Sequence, residues 1–170
     1  MTLKNFEYIS YLFTNFYSSI STLNSRIIPN PNPNTGKPII GYKFLTKSLP
    51  TLTALHSIWY IWSTDLNKFV KIVPLNIASF LTPLALALWL QDDSYWYDKT
   101  VWICTDCFTE IEVKLLISAL ISNLGIIARI SRRKKADGSF FYRIRISGKK
   151  ENIDKLKSLV IPFFCFISFI

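Results

Sequence analysis

Two adjacent carboxylates, Asp92 and Asp93, close an apolar run that begins with a helix start signal: Leu81-Thr-Pro-Leu-Ala-Leu-Ala-Leu-Trp-Leu-Gln-Asp-Asp93. Carboxylates are hard oxygen donors, suited to divalent ions that activate water and stabilise a leaving phosphate oxygen. At a helix C-terminus they also face the negative end of the macrodipole, which is unfavourable unless a cation offsets it. Two readings follow: a metal site, or a core helix whose end happens to be acidic. Neighbouring helical residues point about 100° apart, so the two acids cannot easily share one ion. Asp93 is the candidate for chemistry. One carboxylate falls short of cutting both strands of a duplex, so a second acid is needed from another helix or another chain.

The second set of residues is basic. Arg129, Ser131 and Arg133 alternate with Ala128, Ile130 and Arg132, and downstream Arg143 and Arg145 alternate with Tyr142, Ile144 and Ile146. A period of two puts one set on an exposed face and the other on a core. With Lys134 and Lys135 at the turn, these residues form a basic ribbon able to enter a major groove, where arginine reads guanine edges and meets phosphates. A strand of about eight residues spans roughly 26 Å, or about seven to eight base pairs. The competing reading is a solvated sheet face.

Other chemistries find little support. Cys104 and Cys107 have the C-x-x-C spacing that zinc favours, but four ligands are needed and only His56 and Cys165 remain, far away in sequence. Cys104 therefore reads as half-buried strand packing. His56 is alone among aromatic residues, and no Ser/His/Asp or Cys/His set accompanies it. The five glycines make no phosphate-binding loop.

The elements that must hold these residues follow from caps and periodicity. Thr82 and Pro83 open a helix through Asp93, and a hairpin over about Tyr95–Thr105 comes next. Thr109 caps a helix to Asn123, with Glu110 and Glu112 in its first turn and Gly125 at its end. Strands over Ile126–Arg133 and Ser139–Ser147 flank an Asp137-Gly138 turn. A last helix runs from about Glu151 to Val160, stopped by Pro162. A looser copy precedes all this: a helix over Leu3–Tyr17, a Pro/Asn-rich connector Pro29–Asn34, a strand over Pro38–Lys47 and a helix over Pro50–Trp62. The full unit is α-β-β-α-β-β-α, an α+β plan, and the first copy lacks its opening helix and hairpin.

Composition sets the partners. The 170 residues are half hydrophobic and carry a net charge of +9, which points to a polyanion, nucleic acid or an anionic surface. A membrane span is not expected: the apolar run from Leu75 is interrupted by Asn76, Ser79, Thr82 and Pro83, and Leu159–Ile170 is too short. No secretory signal or import sequence is evident at the N-terminus. The lean towards Ile, Asn, Phe, Tyr, Lys and Ser is what AT-rich organellar genomes encode.

The run Leu81–Asp93 resembles the LAGLIDADG homing endonucleases, in particular the branch reading LTPLALAxWxxDDG. Cys104-Thr-Asp-Cys-Phe-Thr109, Tyr142-Arg-Ile144, Tyr42-Lys-Phe-Leu-Thr46 and Trp59-Tyr60 extend the resemblance over nearly the whole chain. It implies a saddle of antiparallel strands on double-stranded DNA and motif helices packed at the centre through small residues, here Ala85 and Ala87. Asp93 would sit at the scissile phosphate, as catalytic residue and Mg²⁺ ligand, with Arg129, Arg132, Arg133, Lys134, Lys135, Arg143 and Arg145 on the DNA.

The implied activity is intron homing by phosphodiester cleavage. Alternatives are an intron RNA-binding maturase without cleavage and an inactive remnant reading frame. Two departures stand out. Ser94 replaces the glycine after the acid, and the first motif would precede Leu3. Residues 1–75 then form an incomplete first repeat and 76–170 a second, with the motif helix at 82–93. A second copy or an upstream polypeptide would supply the missing acid. The expected compartment is the mitochondrion, with the chloroplast as alternative.

Overall fold

The computed structural model describes residues 6–22, 26–31 and 33–164. Cys165, the rest of the apolar tail and the first residues of the expected Leu3 helix lie outside them. The chain divides into two units, Met1–Ala54 and Leu55–Ile170.

In the first unit, helix α1 (Phe6–Leu12) continues as a wider turn over Phe13–Tyr17 and a tight one over Ser18–Ile20. Strands β1 (Ile28–Asn30) and β2 (Gly41–Lys43) pair antiparallel over three residues each. Proline at 29 removes a ladder donor, which keeps such a hairpin short. Aromatic contacts hold it to the helix: Phe6 meets Tyr42 at 4.6 Å and Tyr17 meets Phe44 at 5.1 Å between ring centres. Of the expected strand over Pro38–Lys47, only Gly41–Lys43 forms.

Helix α2 (Pro50–Trp59) spans the division. It ends three residues before the sequence reading placed its end. Tyr60 to Ser63 instead forms β3, paired with β4 (Lys68–Lys71) across a Thr64–Asn67 turn. Asn67 takes the left-handed conformation, φ 47°, which asparagine tolerates better than most residues.

The second unit then runs α3 (Ile77–Phe80), α4 (Pro83–Asp93), β5 (Ser94–Tyr97), β6 (Thr100–Ile103), α5 (Glu110–Leu124), β7 (Ala128–Lys134), β8 (Phe140–Ile146) and α6 (Lys150–Val160). The last four strands form one antiparallel sheet in the order β5-β6-β8-β7. Its apolar face, with Val101, Ile103, Ile144 and Ile146, shares one core with Leu86, Ala87 and Leu90 of α4, Val113, Leu116 and Leu120 of α5, and Leu156 and Val160 of α6.

Local chemistry sets the boundaries. The Thr82 hydroxyl accepts the Ala85 N–H at 3.1 Å, with Pro83 at the first helical position. Thr109 and Glu112 form a reciprocal capping box, and Gly125 closes α5 in the left-handed conformation, φ 61°. Two buried hydroxyls lock β6 to β8 at either end: Thr100 donates to the Ile146 carbonyl and Thr105 to that of Tyr142, both at 2.6 Å. No helix among the described residues is long and apolar enough to cross a membrane.

Candidate nucleic-acid interface and acidic helix end

Register decides which cations share a face. Arg129 lies opposite Arg145, Ser131 opposite Arg143 and Arg133 opposite Phe141, while Ile130 meets Ile144 on the core side. The same face continues through Trp102, opposite Arg145, to Tyr95, opposite Trp102. The outer face of the sheet is therefore a layer of arginines and aromatic rings. Arg132 and Lys134 fall on the other side, opposite Tyr142 and Phe140, and the Arg132 guanidinium lies 3.4 Å from the centre of the Phe140 ring. Lys135 sits exposed just past the end of β7. Of the seven expected DNA contacts, four thus share one face: Arg129, Arg133, Arg143 and Arg145.

These four are not equivalent. Arg143 makes a two-pronged ion pair with Asp106, 2.7 Å from Nε and 2.6 Å from Nη2, and donates from Nη1 to the Tyr95 hydroxyl at 3.1 Å. The Asp106 carboxylate raises the guanidinium's pKa above its ordinary value, against the opposing effect of burial. Arg145 pairs with Asp98 at 2.7 Å. Arg133 has no carboxylate within ion-pairing distance among the described residues; it lies over Trp102 at 5.1 Å, as Arg145 does at 5.4 Å. Trp102 is 5% exposed although it sits on the outer side, because the guanidiniums of Arg133 and Arg145 and the rings of Tyr95 and Tyr97 lie against it. The sequence reading passed over Tyr95 and Trp102. Their signal was the alternation Tyr95-x-Tyr97 and Thr100-x-Trp102 around the Asp98-Lys99 turn.

Helix α4 delivers Asp93 to one end of this face. Asp92 and Asp93 are both exposed in its last turn, and β5 starts at the next residue. The Cys104 N–H donates to the Asp93 carbonyl at 2.7 Å, so the end of β6 fixes the backbone of the acid. Ser94 leaves the helix in an extended conformation, φ −123°, with its hydroxyl donating to the Leu90 carbonyl at 2.6 Å. A glycine conformation is not required there. Cys104 follows β6 and is half-buried. Burial raises its thiol pKa, Arg143 opposes this, and Asp106 and Asp93 add to it.

Ala87 is fully buried beside Leu86 and Leu90, whereas Ala85 is half-buried. Two residues apart on a helix point in nearly opposite directions, so the two alanines do not share one packing face. Among the described residues no group of three His, Cys, Asp or Glu side chains is placed to hold a metal. Asp93 thus suits Mg²⁺ only in the manner in which one or two carboxylates are completed by waters and substrate phosphates.

Comparison with known proteins decides the family. Residues 2–156 match the LAGLIDADG DNA endonuclease family. The chain belongs to that family. Among LAGLIDADG relatives, it is 28% identical over 152 residues to the DNA endonuclease I-ChuI of Chlamydomonas applanata, covering 85% of this chain and 70% of that protein. It is 29% identical over 121 residues to the cytochrome b mRNA maturase bI2 of Saccharomyces cerevisiae, covering 71% of this chain and 28% of that one. Against the bI2 maturase of Debaryomyces hansenii the identity is 30% over 145 residues, covering 85% and 51%.

The chain therefore spans roughly a quarter to a half of the two maturases. The LAGLIDADG fold itself is shared with the homing endonuclease I-WcaI, solved bound to its DNA recognition sequence. That match has a TM-score of 0.69 at 19% identity, over 92% of this chain and 66% of that one. The α+β reading with antiparallel sheets is thereby borne out.

Proposed function

We propose that this chain binds double-stranded DNA on the outer face of its four-stranded sheet and takes part in Mg²⁺-dependent phosphodiester cleavage through Asp93. One observation carries the reading: α4 ends on an exposed acid at the edge of a sheet face made of arginines and aromatic rings. Arg129, Arg133 and Lys135 meet backbone phosphates. Arg143, held by Asp106 and Tyr95, presents a guanidinium edge in a fixed orientation, which suits base reading, and Arg145, paired with Asp98, lies on the same face. Arg132 and Lys134 contribute long-range charge from the other side.

Asp93 would hold the ion together with a phosphate oxygen; when bound, Mg²⁺ polarises the phosphoryl group and lowers the pKa of a water. The Cys104 N–H keeps the backbone of that acid in place. Cutting both strands takes two such acids; the second would come from another copy or from another polypeptide segment, with residues 1–75 as a first repeat before the motif-bearing 76–170. Ala85, on the less buried side of α4, stays available for helix packing. An organelle-encoded origin, mitochondrial first and chloroplast second, rests on composition.

The test is cutting of a duplex that spans the intron-free junction, at protein concentrations that permit a second copy. Wild type should cut only with Mg²⁺, and Asp93→Asn should lose roughly 100-fold or more of the rate. Equal cutting by both would remove Asp93 from the mechanism.

A second reading, intron RNA binding without cleavage, is favoured by a separate feature. Around β3–β4, His56 of α2 stacks on Tyr60 at 4.7 Å, and Trp62 meets Phe69 at 5.1 Å, with Trp62 and Phe69 each about half exposed. Exposed rings beside lysines offer stacking surfaces to unpaired bases. Splicing rescue that survives Asp93→Asn would establish this reading over the first.

A further inference from the structure

A pocket of about 260 Å³ opens where β7 begins and β8 ends, lined by Ile127, Arg129, Arg145, Ser147, Gly148 and Lys149 among others. Its positive charge is concentrated. Arg129 and Arg145 stand directly opposite each other in the ladder, an arrangement of like charges that destabilises a strand pair unless something compensates. Asp98 pairs with Arg145 through Nη2. The Nε of Arg145 is buried and has no hydrogen-bond acceptor among the described residues. A buried N–H of this kind calls for an ion or water as partner.

Lys149 adds a third cation in an unusual place. It is the N-cap of α6, the positive end of that helix, makes no side-chain capping bond, and is followed by Lys150. Cations are disfavoured at a helix N-terminus, whereas an anion is welcome there. Glu151 is the one acid in the first turn of α6.

Hydrogen bonds tie together the backbone of two lining residues, Ile127 and Ser147. The buried Asn152 side chain accepts the Ile127 N–H at 2.7 Å and donates to the carbonyls of Ile127 at 3.1 Å and Ser147 at 2.9 Å. Gly148 lets the chain pass close to the β5–β6 turn: a Cβ there would stand 3.2 Å from the Lys99 carbonyl oxygen. Arg129, Arg145 and Lys149, the last at the N-cap of α6, therefore line one pocket, and the one carboxylate paired with any of them is that of Asp98 on Arg145.

We infer that this pocket is a phosphate-binding site, and that the phosphate it takes is one of the DNA backbone at the margin of the sheet's footprint. The pocket's chemistry stands by itself; the source of the phosphate rests on the DNA-binding reading above.

The test uses the full chain labelled with ¹⁵N. Inorganic phosphate, and then a mixed-sequence 20-base-pair duplex, are titrated while the amide signals of Gly148 and Lys149 and the Nε–H of Arg145 are followed. Saturable shifts with phosphate are expected, and the duplex should displace it. Lys149→Gln should weaken phosphate binding by about 5-fold and lower the salt slope of duplex binding by about one. Lys114→Gln, on the exposed side of α5 and paired with Glu110, should change neither. Absence of any shift with phosphate would overturn the site. Phosphate binding with an unchanged duplex slope in Lys149→Gln would overturn the backbone assignment. Phosphate binding by a chain that ignores the duplex would overturn the DNA reading and leave the pocket standing.

Discussion

The hairpins β1–β2 and β7–β8 occupy matching places in the repeat read from the sequence, yet they differ in nearly every respect that matters for a polyanion. The later hairpin pairs seven residues per strand, buries Ile144 and Ile146, and presents four arginines on one face. The earlier one pairs three residues per strand, includes Pro29, and carries Lys43 as its one cation within the strands. Length explains much of the contrast. A strand must run far enough for its alternation to build both a core face and a reading face. Three residues achieve neither, so unit one leans on aromatic contacts such as Phe6–Tyr42.

Stability should expose this difference most strongly. Ile144→Ala removes a fully buried side chain from the shared core and should cost about 2–4 kcal/mol. Tyr42→Ala, at a half-buried position in the short hairpin, should cost about 1 kcal/mol. Urea unfolding, with hydrogen exchange resolving each hairpin, measures both. Equal losses would mean that the first hairpin has a core of comparable weight.

A smaller effect separates the arginines themselves. Asp106→Asn releases Arg143 from an ion pair whose partners are partly exposed, so folding should weaken by about 1 kcal/mol or less. Affinity for a non-cognate duplex should rise at low salt, while discrimination between cognate and non-cognate sites should fall, because the guanidinium is freed but no longer aimed. An unchanged discrimination ratio would mean that Asp106 has no positioning role.

Much of the second unit was legible in the sequence because its signals agree with one another. Thr82-Pro83, the Thr109/Glu112 box, Gly125 and Asp137-Gly138 each mark a boundary by local chemistry, and the structure follows them within one or two residues. The β3–β4 hairpin was missed. Tyr60-Ile-Trp-Ser63 continues the aromatic run of α2 without a glycine or proline to break it, and the turn signal lies in Asp65 and Asn67 further on.

The site was half legible. Strand alternation separated Arg129 and Arg133 from Arg132, but the partners of Arg143 and Arg145 are aspartates 37 and 47 residues away, which no local pattern reveals. The same holds for the pocket beside Lys149, which needs the end of β8, the start of β7 and the first turn of α6 together.

The central claim is that the outer face of the second-unit sheet meets nucleic acid, and alternation supplies its own control. Duplex affinity should be measured across a range of salt for Arg129→Gln/Arg133→Gln and for Arg132→Gln/Lys134→Gln, two double variants of equal charge on opposite sides of one strand. The first should lower the slope of log K against log salt by about two, the second by much less than one. Equal slopes for the two variants, or a larger drop for the second, would contradict the account.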